Sequence, residues 1–120
     1  MPDWSIKIVE SGGTTSFAPV TLDAMQDDLV CWNNKTAAEH QPWPADENYV
    51  PLTDVPRTST QYMSDPIAPG GSSRPSYDVA QPAPVPPATV GPNNWTVYYV
   101  CKNHPTVESE RGIITGQVPS

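Results

Sequence analysis

The run Tyr98-Tyr99-Val100-Cys101-Lys102-Asn103-His104-Pro105 ends a strand-like segment with a thiol and an imidazole three residues apart. That is a metal-ligand spacing: a thiolate at the end of a rigid strand and an imidazole in the following turn can grip one ion from a single short loop. The remaining donor must come from elsewhere. His40 is the only other histidine, in a polar stretch after Asp28-Leu29-Val30-Cys31-Trp32-Asn33-Asn34. One soft sulfur and two imidazoles suit a mononuclear copper ion that exchanges electrons.

The elements that position these residues read as strands. Ser5-Ile6-Lys7-Ile8-Val9 alternates like a half-buried strand and runs into the turn Ser11-Gly12-Gly13. Phe17 to Ala24 is apolar but irregular. Leu29 to Trp32 places Val30 and Trp32 on one face and Cys31 on the other, and Asn94 to Cys101 places Val97, Tyr99 and Cys101 on one face. Gly112 to Val118 closes the domain. Ser59 to Met63 and Ser76 to Val79 predict two short strands flanking the turn Pro69-Gly70-Gly71-Ser72-Ser73. Thr36 to Pro56, with four prolines and four acids, predicts long surface loops.

A chain of 120 residues makes one domain, 1–120, with one core. Sixteen prolines, seven glycines and 37% hydrophobic residues describe a loop-rich β protein with no apolar run of membrane length. Eight of the prolines fall between Ser64 and Pro92, which predicts a semi-rigid Pro-rich loop insertion over about residues 80–93. About seven to eight short strands split by Pro/Gly turns predict an all-β, Greek-key β-sandwich. Net charge is −7 and the six basic residues stand singly, so the chain lacks the electrostatic footprint of a nucleic-acid or anionic-lipid binder. A cationic partner fits better. Met1-Pro2-Asp3-Trp4 passes straight into strand pattern, with no leader-like segment.

Four pieces give the chain a resemblance to the cupredoxins, the single-domain blue-copper family with a plastocyanin-like sandwich. They are Phe17-x-Pro19; Asp28-x-Val30-x-Trp32-Asn33 leading to His40; the Pro69-Gly70-Gly71-Ser72 turn; and Tyr99-x-Cys101-x2-His104-Pro105 with Gly112-x-Ile114 behind it. The resemblance implies a cupredoxin-like fold and one mononuclear copper ion on His40, Cys101 and His104. It also implies a non-enzymatic electron carrier, monomeric and periplasmic or extracellular, that serves a redox partner protein with a basic docking patch. The acids from Glu39 to Asp54 would steer that partner.

The chain departs from the family at the axial position, where a methionine is usual about five residues past the second histidine or two before the closing glycine. Those rules point to Ser109 and Glu110. Anchoring on Gly112 favours Glu110, whose hard, anionic carboxylate would stabilise Cu(II) and lower the potential. If Glu110 faced solvent instead, the copper would be open or exchangeable, as in a copper carrier or sensor. Gln41 also stands where many family members have asparagine.

A rival reading is an immunoglobulin-like binding domain, built on Cys31, Trp43 and Tyr99-x-Cys101 with a Cys31–Cys101 disulfide and no thiolate for a metal. Pro42 and Pro44 around Trp43 oppose it, because proline is excluded from a central strand. Pro42, Trp43, Pro105 and Val107 border the histidine loops and read either as an apolar docking rim or as loop packing. Asn34-Lys35-Thr36 and Asn94-Trp95-Thr96 match glycosylation sequons.

Overall fold

Alternation of apolar and polar residues fixes which face of a strand is buried, and the computed structural model, which has nine strands, bears this out in the first, third, fourth, eighth and ninth. It describes residues 3–53, 55–57, 62–73, 76–79, 89–90 and 94–117. The strands are β1 (Asp3–Ser11), β2 (Thr14–Ala18), β3 (Thr21–Met25), β4 (Leu29–Asn34), β5 (Pro42–Ala45), β6 (Tyr77–Asp78), β7 (Thr89–Val90), β8 (Asn94–Cys101) and β9 (Arg111–Gln117). One sheet runs β2-β1-β4-β6 and the other β3-β9-β8-β5, with β7 also on β8. The β1–β4 and β3–β9 pairs are parallel and the others antiparallel. This is a Greek-key β-sandwich in which β6 and β7 are mere two-residue fragments. Among the described residues no helix is long and apolar enough to cross a membrane.

The inner faces supply the core. Ile6 and Ile8 of β1, Phe17 of β2 and Val30 and Trp32 of β4 meet Trp95, Val97 and Tyr99 of β8 and Ile114 of β9. Tyr99 lies at the centre, edge-on to Phe17 at 4.9 Å and to Trp32 at 5.3 Å between ring centroids. Directly across the ladder from it is Gly112, where a Cβ would overlap the Tyr99 ring. Trp95 covers Gly116 in the same way. Each aromatic ring thus occupies the space that its cross-strand glycine leaves free.

Three expectations need correction or restriction. Thr36 to Pro56 is not all surface loop, since β5 lies inside it with all four residues buried. Its prolines are tolerated because β5 stands at the end of its sheet, pairing with β8 as an edge strand. Tyr62 and Met63 are buried without joining a ladder, and Ser59, Thr60 and Gln61 lie outside the described residues. Of the Pro-rich segment, only Thr89 and Val90 are described, as β7 on Thr96 and Trp95.

Candidate metal centre

The immunoglobulin-like alternative fails on the cysteines, which are both free. Strand pleating sends them to opposite environments. Cys101 is buried in the core, whereas Cys31 faces outward from β4, where the Ser73 hydroxyl donates to its sulfur at 3.3 Å.

Cys101 ends β8, and the segment after it is wound by hydrogen bonds that each span three residues. His104 N–H donates to Cys101 C=O at 3.0 Å, Val107 N–H to His104 C=O at 3.1 Å, and Glu110 N–H to Val107 C=O at 3.0 Å. Cys101 N–H then donates to Glu110 C=O at 3.1 Å and closes the loop where β9 begins. Cys101, His104 and Glu110 are therefore gathered from one self-closed loop. The spacing in threes was visible in the sequence but acquires meaning only through these turns.

His40 arrives by a different construction. The buried Asn34 side chain donates to Ala38 C=O at 2.7 Å and Ile67 C=O at 3.0 Å, and accepts from Thr36 N–H at 2.9 Å. His40 and Ile67 exchange two backbone bonds, at 3.2 and 2.7 Å. Gln41 then ties the arm to the loop, its C=O accepting from Lys102 N–H at 2.8 Å and its Nε2 donating to Ser64 C=O at 3.0 Å. Because Asn34 is buried and engaged, its sequon offers no accessible amide.

The four side chains converge. Cys101 Sγ lies 3.5 Å from His40 Nδ1 and 3.9 Å from His104 Nδ1. Glu110 Oε1 lies 3.2 Å from His40 Nδ1 and 3.3 Å from His104 Nδ1. All four donor atoms fall within 4.8 Å of one another. A tetrahedron of donors about 2.0–2.3 Å from a central ion has edges of about 3.3–3.8 Å, so the spacing fits one metal ion.

The chemistry of the donors fits as well. Glu110 is only 6% exposed, and its ion-pair partners among the described residues are the two imidazoles. A buried carboxylate, a thiol and two imidazole nitrogens facing one point call for a cation among them. Burial pushes the Cys101 thiol above its ordinary value, and the Glu110 charge adds to this, while backbone N–H groups of Gln41, Asn103 and His104 act in the opposite sense. A bound cation would favour the thiolate those amides address. His40 is buried, whereas the His104 side chain is 47% exposed and gives the site one edge on solvent.

The structure brings His40, Cys101, His104 and Glu110 together and directs Glu110 rather than solvent-facing Glu108 at the imidazoles. The expected rim is only partly at the surface: Val107 is exposed, but Pro42 and Trp43 are buried. Sequence reasoning missed Asn34 as the organiser of the His40 arm. It also missed Lys102 and Arg111, whose charges lie 3.8 Å from the centroid of the Trp43 ring and 4.8 Å from that of Tyr49.

No protein-family model and no curated protein matches the chain. Solved structures do. A purple cupredoxin from Nitrosopumilus maritimus superposes with TM-score 0.67 at 18% identity, covering 96% of this chain and 100% of that one. Oxidised plastocyanin from Dryopteris crassirhizoma gives 0.63 at 15% identity over 94% and 99% of the two chains. A reduced proline-to-phenylalanine variant of amicyanin gives 0.59 at 14% over 96% and 82%. The fold of this chain is the cupredoxin fold.

Proposed function

We propose that this chain, a cupredoxin by fold, is a copper-binding electron-transfer protein whose mononuclear site uses His40, Cys101, His104 and Glu110. The observation that carries the reading is the convergence of four donor atoms of the right chemistry within 4.8 Å, at the end of the sandwich where β8 and β9 join. Structural neighbours solved in oxidised and reduced states, as plastocyanin and amicyanin are, support it.

Copper bound here would supply a one-electron couple between Cu(I) and Cu(II). The chain's own residues do the rest. Cys101 provides a soft, covalent donor, and the backbone N–H groups of Gln41, Asn103 and His104 favour the thiolate form that a bound cation would draw out. His40 is locked by Asn34 and Ile67, which limits movement between oxidation states. Half-exposed His104 offers the edge through which an electron leaves. Glu110 adds a hard anionic donor that favours the oxidised ion.

A net charge of −7 suits a redox partner with a basic docking patch, and the monomeric chain would work in the periplasm or outside the cell. No catalytic acid–base pair is required.

The test is to add Cu(II) to the reduced, metal-free protein and record the visible spectrum. A thiolate-to-copper band that survives Cys31→Ala but is lost in Cys101→Ser is expected. A colourless wild type overturns the reading. Copper that passes rapidly to a chelator from a coloured protein would instead favour a copper carrier.

A further inference from the structure

Lys102 and Arg111 occupy matched positions, one directly after the thiolate donor Cys101 and the other directly after the carboxylate donor Glu110. Both fold onto aromatic rings of the segment that contains β5. Trp43 and Arg111 stand opposite Val100 on either side of β8, so the three form one row on the outer face of the sheet. Cys101, the next residue, points to the inner face. The Lys102 ammonium lies 3.8 Å from the Trp43 ring centroid, and the Arg111 guanidinium 4.8 Å from that of Tyr49.

Tyr49 is set up for this contact. Its φ of +61° is a strained value for a bulky side chain, and its ring packs edge-on against Tyr98 at 5.5 Å. Asp46 holds the turn by accepting from Asn48 N–H at 2.8 Å and Val50 N–H at 3.0 Å.

An aromatic ring holds a cation without cancelling its charge, whereas a carboxylate does both. Arg57 is the internal contrast. It lies over Tyr62 but is also paired with Asp65 at 2.9 Å, so its charge is neutralised. Among the described residues neither Lys102 nor Arg111 has an acidic partner.

We propose that Lys102 and Arg111 are redox-tuning charges, pinned behind the site by Trp43 and Tyr49 so that their fields act on the copper and its two anionic ligands. This rests on the copper reading above. With two neutral imidazoles, a thiolate and a carboxylate, the oxidised site is neutral. One electron from a donor protein makes it singly negative, with no bond made or broken and no proton moved. Two cations without acidic partners among the described residues, each carried by the residue next to an anionic donor, stabilise that added charge and oppose the preference of Glu110 for Cu(II).

The experiment measures midpoint potentials of the copper-loaded wild type, Lys102→Gln, Arg111→Gln and Arg57→Gln at low and high salt, with melting of each metal-free protein alongside. Removing exposed Lys102 should lower the Cu(I):Cu(II) ratio at fixed poise roughly threefold, and removing half-buried Arg111 roughly tenfold. The second corresponds to about 59 mV in the negative direction. Arg57→Gln should leave the potential in place. Lys102→Arg and Arg111→Lys should restore it, Tyr49→Phe should keep it, and Tyr49→Leu should shift it part of the way toward Arg111→Gln. High salt should narrow the gap between the wild type and Lys102→Gln.

Coloured proteins whose potentials do not move, or an Arg57→Gln shift as large as that of Arg111→Gln, overturn the assignment and leave the copper reading standing. A colourless wild type overturns both. If Arg111→Gln melts too low to load copper, Arg111→Lys, Tyr49→Leu and the Lys102 pair decide.

Discussion

Two regions build the same site by opposite means. The Cys101–Glu110 loop gathers three donors by local hydrogen bonds and closes on itself at the junction of β8 and β9. The His40 arm delivers one donor from a segment whose shape depends on residues far along the chain, chiefly through Asn34 and Ile67. A self-closed loop should hold its form as long as its two strands do. The arm should loosen whenever the 62–71 segment lets go, so His40 is the donor whose position is most easily lost.

Striking at what the loop stands on should have the largest effect. In Gly112→Ala the new methyl group meets the Tyr99 ring, which is hemmed in by Phe17 and Trp32 and has nowhere to turn. Overpacking of this kind costs about 3 kcal/mol or more. Denaturant unfolding should show a loss of that size, with Tyr99→Leu in the same chain recovering part of it. A wild-type-like midpoint for Gly112→Ala would mean that strand closure does not depend on this ring-over-glycine contact.

Striking the arm should have a smaller global effect but a selective local one. Asn34→Ala strands the Thr36 amide and leaves the Ala38 and Ile67 carbonyls with only the Thr36 hydroxyl and the His40 N–H, at a cost of about 1–3 kcal/mol. Copper affinity should fall at least tenfold while a thiolate-to-copper band from the intact loop persists in altered form. Equal loss of both signals would show that loop and arm are one cooperative unit.

Alkali should separate the two regions further. Burial raises the phenols of Tyr77 and Tyr99 well above their ordinary value. Tyr62, beside the arm, is pushed up to about 12, first by burial and then by its hydrogen bond to Asp65. An unfolded chain releases phenolic protons from about pH 10, so above that pH it binds fewer protons than the folded chain. The stability these phenols contribute is therefore level below about pH 10 and falls as pH rises. The Tyr62 contribution is lost between about pH 10 and 12. Melting temperature against pH should show this, with a shallower fall in Tyr62→Phe across that window. Identical slopes would remove Tyr62 from the account.

What the sequence made legible follows the same division. The period-two pattern of β1, β4, β8 and β9 is local and strong, so these strands and the inward direction of Cys101 could be read directly. Glu110 was reachable because Gly112 fixes where the loop must end. β5 was hidden, since Pro42 and Pro44 mark a loop unless the strand is known to lie at an edge. Asn34 stood out only as part of a sequon. Its role depends on Ile67 coming alongside, a contact that no local pattern encodes. Trp43 and Tyr49 likewise meet Lys102 and Arg111 only through the register of β5 on β8 and β9.

The smallest effect should come from the cysteine that is not in the site, and it sharpens the contrast between the two ends of the arm's strand. Cys31 and Asn34 both belong to β4, but Asn34 is fully buried while Cys31 lies half-buried on the outer face. Its sulfur accepts from the Ser73 hydroxyl at 3.3 Å, and that hydroxyl also accepts from Trp32 N–H at 2.9 Å. In Cys31→Ala the Ser73 hydroxyl keeps the backbone partner and loses only a weak sulfur acceptor, so stability should change by less than about 1 kcal/mol. Copper colour and potential should be those of the wild type. A change in either would mean that strain on β4 reaches His40 through Asn34, and that the arm is stiffer than its long-range construction suggests.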